Sequence, residues 1–334
     1  MSIPQNLHDA AMGCLLGACV GDAAGAPLEF IGHTPTLEEV KRAISMPGGG
    51  VLGVAPGQIT DDGELTLCLA RGLAGKKLFN IETIAMQYHW WTASSPFDVG
   101  RTTQNAFGSA QRISPGQLDG YAPVMERAAF QKNMLSKANG SLMRATPLGI
   151  WGRQLDDDEL ASYAQSDSKL SHPNSSCQHA EACYVIAIAS LMRNLGERLE
   201  AFVRAQRWAE ACAPREVRDW LQDAEDDVVV PYEPQIGFVR IAFTHAFRHL
   251  LKGSNYMEAL TETLAGGGDT DSNACIVGGL LGAACGADAI PQGMRHAVLA
   301  CDTSDGQQRP PFVSASQIPH LVGALLDPGA QVRY

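Results

Sequence analysis

The sequence predicts an all-α, single-domain helical bundle, and three observations carry that expectation. Apolar residues recur at helical spacing along most of the chain, long strand-like alternation is missing, and no Gly/Ser- or Pro-rich linker divides the 334 residues. A chain of that length buries a substantial core on folding. Its 45% apolar and 18% charged residues fit a compact soluble protein, not a disordered one.

The first element runs through Gly13, Gly17 and Gly21, spaced so that a helix would carry a bare stripe. Glycine costs about 1 kcal/mol per helix position relative to alanine, so three in register call for a compensating close approach. Gly278, Gly282 and Gly286 repeat the pattern near the other end, where Leu280-Leu281-Gly282-Ala283 echoes Leu15-Leu16-Gly17-Ala18. Two helices crossing tightly through these stripes would join the chain ends around one centre; small residues in a generic core are the alternative. Between them, residues 62 to 73 place Leu65, Cys68, Leu69 and Leu73 on one helical face, and residues 181 to 195 and 236 to 251 behave similarly. Valines 228 to 230 suggest one short extended piece, ended by Pro231 and Pro234.

The longest apolar stretch, Ala274 to Ala287, falls short of the roughly 20 residues that span a bilayer and is expected as a buried helix. The N-terminus has no basic leader and carries Asp9 and Asp22, the wrong pattern for a signal peptide. Nine cysteines occur singly with no CxxC pair, as reduced core thiols of a cytoplasmic protein do. The 25 Lys and Arg against 36 Asp and Glu leave a formal charge of -11. That balance removes the electrostatic warrant for a nucleic-acid or anionic-membrane partner, leaving small molecules or proteins.

Two acidic clusters, Thr60-Asp61-Asp62 and Asp269-Thr270-Asp271-Ser272, each follow glycine and open a helical pattern. A helix N-terminus favours ionised carboxylates, which can cap the helix or bind a cation. If folding brings the clusters together, four carboxylates and two hydroxyls with no soft ligand nearby favour Mg²⁺ or Mn²⁺ over zinc, with room for two ions.

Taken in order, Gly13 to Phe30, Thr60-Asp61-Asp62, Asn139-Gly140-Ser141 through Arg144 to Gly149, and Gly267-Gly268-Asp269-Thr270-Asp271-Ser272 resemble the ADP-ribosylglycohydrolase family. The resemblance implies an all-α orthogonal bundle with a binuclear Mg²⁺ or Mn²⁺ centre and hydrolysis of the bond joining ADP-ribose to a modified protein side chain. By position it implies Thr60, Asp61, Asp62, Asp269, Asp271 and Ser272 as metal ligands, with Asp61 and Asp269 also in the catalytic machinery. Ser272 stands where threonine is more usual, and Gly63 where threonine often follows the acidic pair, a change expected to loosen that helix start. Glu29 matches a family glutamate near the metals that orients or deprotonates the attacking water.

Asp98, in Pro96-Phe97-Asp98-Val99-Gly100-Arg101-Thr102, is similar to a segment of the arginine-directed branch. A carboxylate there suits a guanidinium, and the alternative is a loop aspartate capping a turn. Asn139, Gly140 and Ser141 match the diphosphate-binding segment, offering backbone N–H groups and a hydroxyl. His172 matches a histidine near the ligand, and Phe238 an aromatic that stacks on the nucleoside or else packs in the core. His172, Cys177, His179 and Cys183 fit no common zinc spacing. Trp90 and Trp91, before the Asp98 loop, would meet a protein substrate if exposed and pack as core if buried. The expected function is metal-dependent removal of ADP-ribose from modified arginine, with an ADP-ribosylated protein as substrate and an ADP-ribosylating toxin as a possible further partner. A two-metal phosphohydrolase and a non-catalytic ADP-ribose- or toxin-binding immunity protein are the alternatives.

Overall fold

The computed structural model describes residues 3–112, 120–327 and 329. The α-helices are α1 (Gln5–Gly25), α2 (Leu37–Ile44), α3 (Asp61–Leu73), α4 (Ile81–Ala93), α5 (Arg101–Phe107), α6 (Tyr121–Asn133), α7 (Thr146–Trp151) and α8 (Asp157–Lys169). They continue with α9 (Ser175–Arg193), α10 (Arg198–Cys212), α11 (Arg215–Glu225), α12 (Val239–Lys252), α13 (Tyr256–Gly266), α14 (Thr270–Cys285), α15 (Gln292–Ala300) and α16 (Ile318–Leu326). Among the described residues there is no β-strand, only the isolated bridges Gly49 to Val54 and Ala138 to Phe238. The valines at 228 to 230 form no strand: Val230 turns inward to Tyr232 and Ile241, while Val229 is exposed. With no partner strand alongside, an extended segment has nowhere to place its hydrogen bonds.

The architecture is organised on α1 and α14, which lie antiparallel with their glycine stripes in contact. A Cβ built on Gly13 would stand 2.3 Å from the Gly282 carbonyl oxygen, one on Gly17 2.5 Å from that of Gly278, and one on Gly21 2.1 Å from that of Ala274. The relation is reciprocal, since a Cβ on Gly282 would reach 2.0 Å from the Gly13 oxygen. The backbones therefore touch directly, which recovers the propensity cost of the glycines through dispersion and desolvation. Tyr256 Oη, from α13, donates to the Gly17 carbonyl at 2.7 Å across the same seam.

The stripe does not stop at Gly21. A Cβ on Gly25 would lie 2.4 Å from the Cα of Asp271, so the C-terminal end of α1 is pressed onto the N-terminal turn of α14. This one crossing sets Asp22, Glu29, Asp269 and Asp271 beside each other. By length and composition α1 could cross a membrane, and with the following turn to Leu28 it forms a longer apolar run than the Ala274 to Ala287 stretch. Most of it is buried, as a core helix of a globular fold is.

Helix α3 is buried along its whole length and directs its N-terminus at the same place. Helix α9 runs through the interior, where Tyr184 Oη donates to the Ile276 carbonyl of α14 at 2.7 Å. A single large hydrophobic cluster joins these helices, so the acidic helix starts rest on a rigid scaffold. The helical segment expected from residue 236 begins at Val239, because Gly237 is left-handed (φ +74°) and Phe238 is extended.

Candidate active site

The two acidic helix starts meet, and neither is used as an ordinary cap. Thr60 and Asp269 occupy the N-cap positions of α3 and α14 without a side-chain capping hydrogen bond. Asp22, arriving from α1, does that work for α3. It accepts from the Thr60 backbone N–H (3.1 and 3.0 Å to its two oxygens), the Thr60 hydroxyl (2.8 Å) and the Gly63 N–H (2.8 Å). A Cβ on Gly63 would fall 2.5 Å from Asp22 Oδ2 and 2.8 Å from Ile59 Cβ. Gly63 is therefore what admits Asp22, and the expectation that it loosens the helix start is reversed.

Around this anchor the carboxylates crowd. The ligand atoms of Asp22, Asp62 and Asp271 lie within 4.8 Å of one another, as do those of Glu29, Asp269 and Asp271. Asp271 belongs to both groups, so the acids form one continuous cluster. The Thr60 hydroxyl stands 3.3 Å from Asp62 Oδ2 and 3.5 Å from Asp271 Oδ2. Asp61 accepts from the Gly100 N–H at 3.4 Å, Asp269 from Asn139 Nδ2 at 2.8 Å, and Asp271 from the Ser272 N–H at 2.9 Å. Asp62 Oδ1 and Glu29 Oε2 are buried with no hydrogen-bond partner among the described residues.

Burial, reinforced by neighbouring carboxylates, pushes Asp61, Asp62 and Asp271 well above the usual carboxylate range. Burial raises Glu29 to about 8 and Asp22 to about 7, the latter despite the hydrogen bonds it receives. Such a cluster lacks positive charge. Orphaned buried carboxylate oxygens beside hydroxyls, with no thiolate or imidazole in either group, are the donor set of a hard divalent cation.

A cavity of about 240 Å³ opens over the cluster. Glu29, Asp61, Asp62, Asp269, Asp271 and Ser272 line it together with Asp98, Thr103, Asn139, Gly140 and His172. Burial raises the Asp98 carboxyl, with Asp269 adding to the effect. The Asn139–Gly140 turn is held by its Asn139 N–H donating to the Gly237 carbonyl at 3.0 Å and by Val239 N–H donating to Lys137 at 2.9 Å. A Cβ on Gly140 would meet His172 Cε1 at 2.8 Å, so the ring packs directly on that turn. Burial, with the Arg144 charge, lowers His172 to about 3, and the imidazole is neutral. A second cavity of about 390 Å³ adjoins through Glu29, Phe30, Gly237 and Asp269.

Two expected ligand contacts are placed elsewhere. The Ser141 hydroxyl is fully buried and bonds the Ser168 hydroxyl at 3.0 Å, so it is not offered to the cavity. Phe238 meets Trp220 edge-on, with centroids 5.5 Å apart, and packs on Val230, Tyr232 and Ile241; it does not line the cavity over the acids. The tryptophan pair divides: Trp91 is buried and donates to Glu64 Oε2 at 2.6 Å, whereas Trp90 is exposed. Cys177 Sγ faces the Ser136 and Ala138 carbonyls, in keeping with the discounted zinc spacing.

Sequence reasoning missed Asp22 as a site residue. The available signal was a lone carboxylate in an otherwise apolar, glycine-spaced helix, because a buried charge needs partners. It also missed the buried Arg144, Asp167 and Glu181 beneath the Asn139–Gly140 turn.

The geometry can be set beside known proteins. The ADP-ribosylglycohydrolase family model matches residues 3–321. The chain belongs to the ADP-ribosylglycohydrolase family. Among similar members, the ADP-ribosyl-[dinitrogen reductase] glycohydrolase of Rhodospirillum rubrum is 30% identical over 291 residues, covering 86% of this chain and 90% of that protein. The ADP-ribosylarginine hydrolase Tri1 of Pseudomonas putida is 26% identical, covering 86% and 74%. The ADP-ribosylhydrolase ARH3 of Danio rerio is 24% identical, covering 91% and 89%. A solved structure described as an ADP-ribosylglycohydrolase-related protein complex shares the fold, with a TM-score of 0.73 at 22% identity over 98% of this chain and all of that one. Family membership accounts for the all-α architecture.

Proposed function

We propose that this ADP-ribosylglycohydrolase is a cytoplasmic hydrolase that uses two divalent cations, Mg²⁺ or Mn²⁺, to remove ADP-ribose from modified arginine side chains of proteins. The observation that carries the reading is the continuous carboxylate cluster, with Asp98 lining the same cavity. Thr60, Asp61, Asp62, Asp269, Asp271 and Ser272 would hold the cations. When bound, the cations act as Lewis acids toward the ribose oxygens and a water.

The chain's own residues then do the following. Asn139, through its hydrogen bond to Asp269, couples the cavity wall to the acids. Gly140 lets the diphosphate approach the main chain, and His172 closes that wall. Asp98 pairs with the substrate guanidinium and orients the scissile bond. Glu29, which lines both cavities, would be ionised once bound cations supply the missing positive charge, and then accepts a proton from the attacking water. The water oxygen bonds to the anomeric carbon of the ribose, the bond from that carbon to the guanidine nitrogen breaks, and the nitrogen takes up the proton that Glu29 removed from the water, so that arginine leaves. Asp98 assists that last transfer.

The deciding experiment is a paired hydrolysis assay on protein ADP-ribosylated at arginine and on protein ADP-ribosylated at serine, with Mg²⁺ or Mn²⁺ and an EDTA control. Metal-dependent release of ADP-ribose from arginine alone is the expected result. Release from serine alone would retain the cation site and discard the guanidinium role of Asp98. Inorganic phosphate released from ADP-ribose would mark a two-metal phosphohydrolase instead. Tight binding of an ADP-ribosylating toxin that survives loss of the acids, with no hydrolysis, would mark a binding protein.

A further inference from the structure

Beneath the Asn139–Gly140 wall lies a buried polar chain. The Arg144 guanidinium is fully buried, with the Tyr88 and Phe107 rings 4.8 and 5.2 Å from its central carbon. Nε donates to Asp167 Oδ2 at 2.9 Å and Nη2 to the Asp167 carbonyl at 3.1 Å. Nη1 donates to the Gly140 carbonyl and to Ser171 Oγ, each at 2.9 Å. Ser171 Oγ in turn lies 2.8 Å from His172 Nδ1. Tyr88 Oη donates to the remaining oxygen of Asp167 at 2.8 Å.

The protons on this chain are determined by what each group can do. Arginine can only donate, so Ser171 Oγ accepts from it. Ser171 is fully buried, and among the described residues its hydroxyl has no acceptor other than His172 Nδ1. If Nδ1 carried the proton, the serine hydrogen would be orphaned in the interior, at a cost of about 1–3 kcal/mol. With the hydroxyl donating to Nδ1, the guanidinium, the serine hydrogen and Nδ1 are all satisfied, and the neutral ring carries its proton on Nε2, the nitrogen beside Gly140. The backbone holds the ring in place, since His172 N–H donates to Ser168 at 2.7 Å and the Ser168 hydroxyl donates to the His172 carbonyl at 3.1 Å.

We infer that Asp167, Arg144 and Ser171 form a positioning relay that locks His172 as the neutral Nε2–H tautomer, an obligate hydrogen-bond donor to an anionic ligand oxygen beside Gly140. The same guanidinium holds the Gly140 carbonyl, so one buried cation sets both halves of that wall. A histidine free to exchange tautomers would present a lone pair to the anion part of the time. The identity of the ligand as ADP-ribose rests on the proposed function; the tautomer does not.

The test is long-range ¹H–¹⁵N correlation on full-length protein labelled at histidine nitrogen, with His172→Asn to assign the signal, together with calorimetric titration of ADP-ribose. The wild type is expected to show Nε2–H at His172. Ser171→Ala is expected to lose the fixed tautomer and to weaken ADP-ribose binding about 5- to 10-fold, the worth of one hydrogen bond. Ser171→Thr, which retains the hydroxyl, is expected to restore both. An Nδ1–H signal in the wild type, read without any variant, overturns the inference, as does Ser171→Ala with tautomer and affinity unchanged. No ADP-ribose binding by the wild type would sink the functional reading and the ligand role of His172, while the tautomer is still read from the free protein.

Discussion

At the residue scale, Asp22 and the cavity-facing acids divide structure from chemistry. Asp22 satisfies two backbone N–H groups and a hydroxyl at the start of α3. Asp22→Ala orphans the two N–H groups, at about 1–3 kcal/mol for each group left buried, while the hydroxyl can still turn to Asp62. It is expected to lower both the denaturation midpoint and ADP-ribose release. Asp22→Asn retains an acceptor oxygen and should recover much of the stability and, with it, of the activity. Among the described residues the Asp61 and Asp269 carboxylates each receive one hydrogen bond, at 3.4 and 2.8 Å. Asp61→Ala or Asp269→Ala is therefore expected to abolish hydrolysis with a small change in melting temperature; full activity in either purified variant would contradict the site. His172 gives a pH signature. Its folded pKa of about 3 lies below the unfolded value of roughly 6.5, so its contribution is complete above pH 6.5 and is lost as pH falls toward 3. Between pH 7.5 and 5 the wild type should lose about 2 kcal/mol relative to His172→Gln, measured by urea unfolding at both pH values.

At the scale of elements, the α1–α14 crossing connects the glycine pattern to the site. The spacing of Gly13, Gly17 and Gly21 against Gly278, Gly282 and Gly286 was legible in the sequence because glycine's helix penalty demands a reason. Its continuation to Gly25 and Asp271, which makes the crossing functional, was not, since the second partner is no glycine. Gly282→Ala places a methyl 2.0 Å from a carbonyl oxygen of the opposing backbone, which cannot rotate aside. It is expected to cost about 3 kcal/mol or more and, by sliding α14, to depress activity further than the stability loss explains. Gly323→Ala in α16, where an added Cβ meets nothing within 4 Å, is the matched control and should be neutral or slightly stabilising. The helix starts at Thr60 and Asp269 were also legible, yet local signals read them as capable of capping themselves. At Thr60 tertiary contact overrode that reading by supplying Asp22.

At the scale of the whole molecule, carboxylates drawn from α1, the segment after it, α3 and α14 gather at one point, in a chain whose net charge is -11. Divalent cations that bind this cluster in the folded state alone must stabilise the fold. Mg²⁺ or Mn²⁺ at 100 times its dissociation constant is expected to raise the unfolding free energy by about 2.7 kcal/mol, and EDTA to remove that gain together with activity. Denaturant titrations with and without EDTA check this, and a midpoint insensitive to either cation would count against the centre. By itself the sequence determined the all-α class, the positions of the two acidic helix starts and the glycine stripes, and the family motifs, because helical periodicity, glycine's backbone cost and short motifs are properties of adjacent residues. Only the tertiary structure decided that Asp22 joins the acids, that the Ser141 hydroxyl and the Phe238 ring turn away from the cavity, and that Arg144 reaches His172 through Ser171. Each of those outcomes depends on which buried polar group or ring finds a partner far along the chain, and that is settled by packing and hydrogen-bond satisfaction in three dimensions.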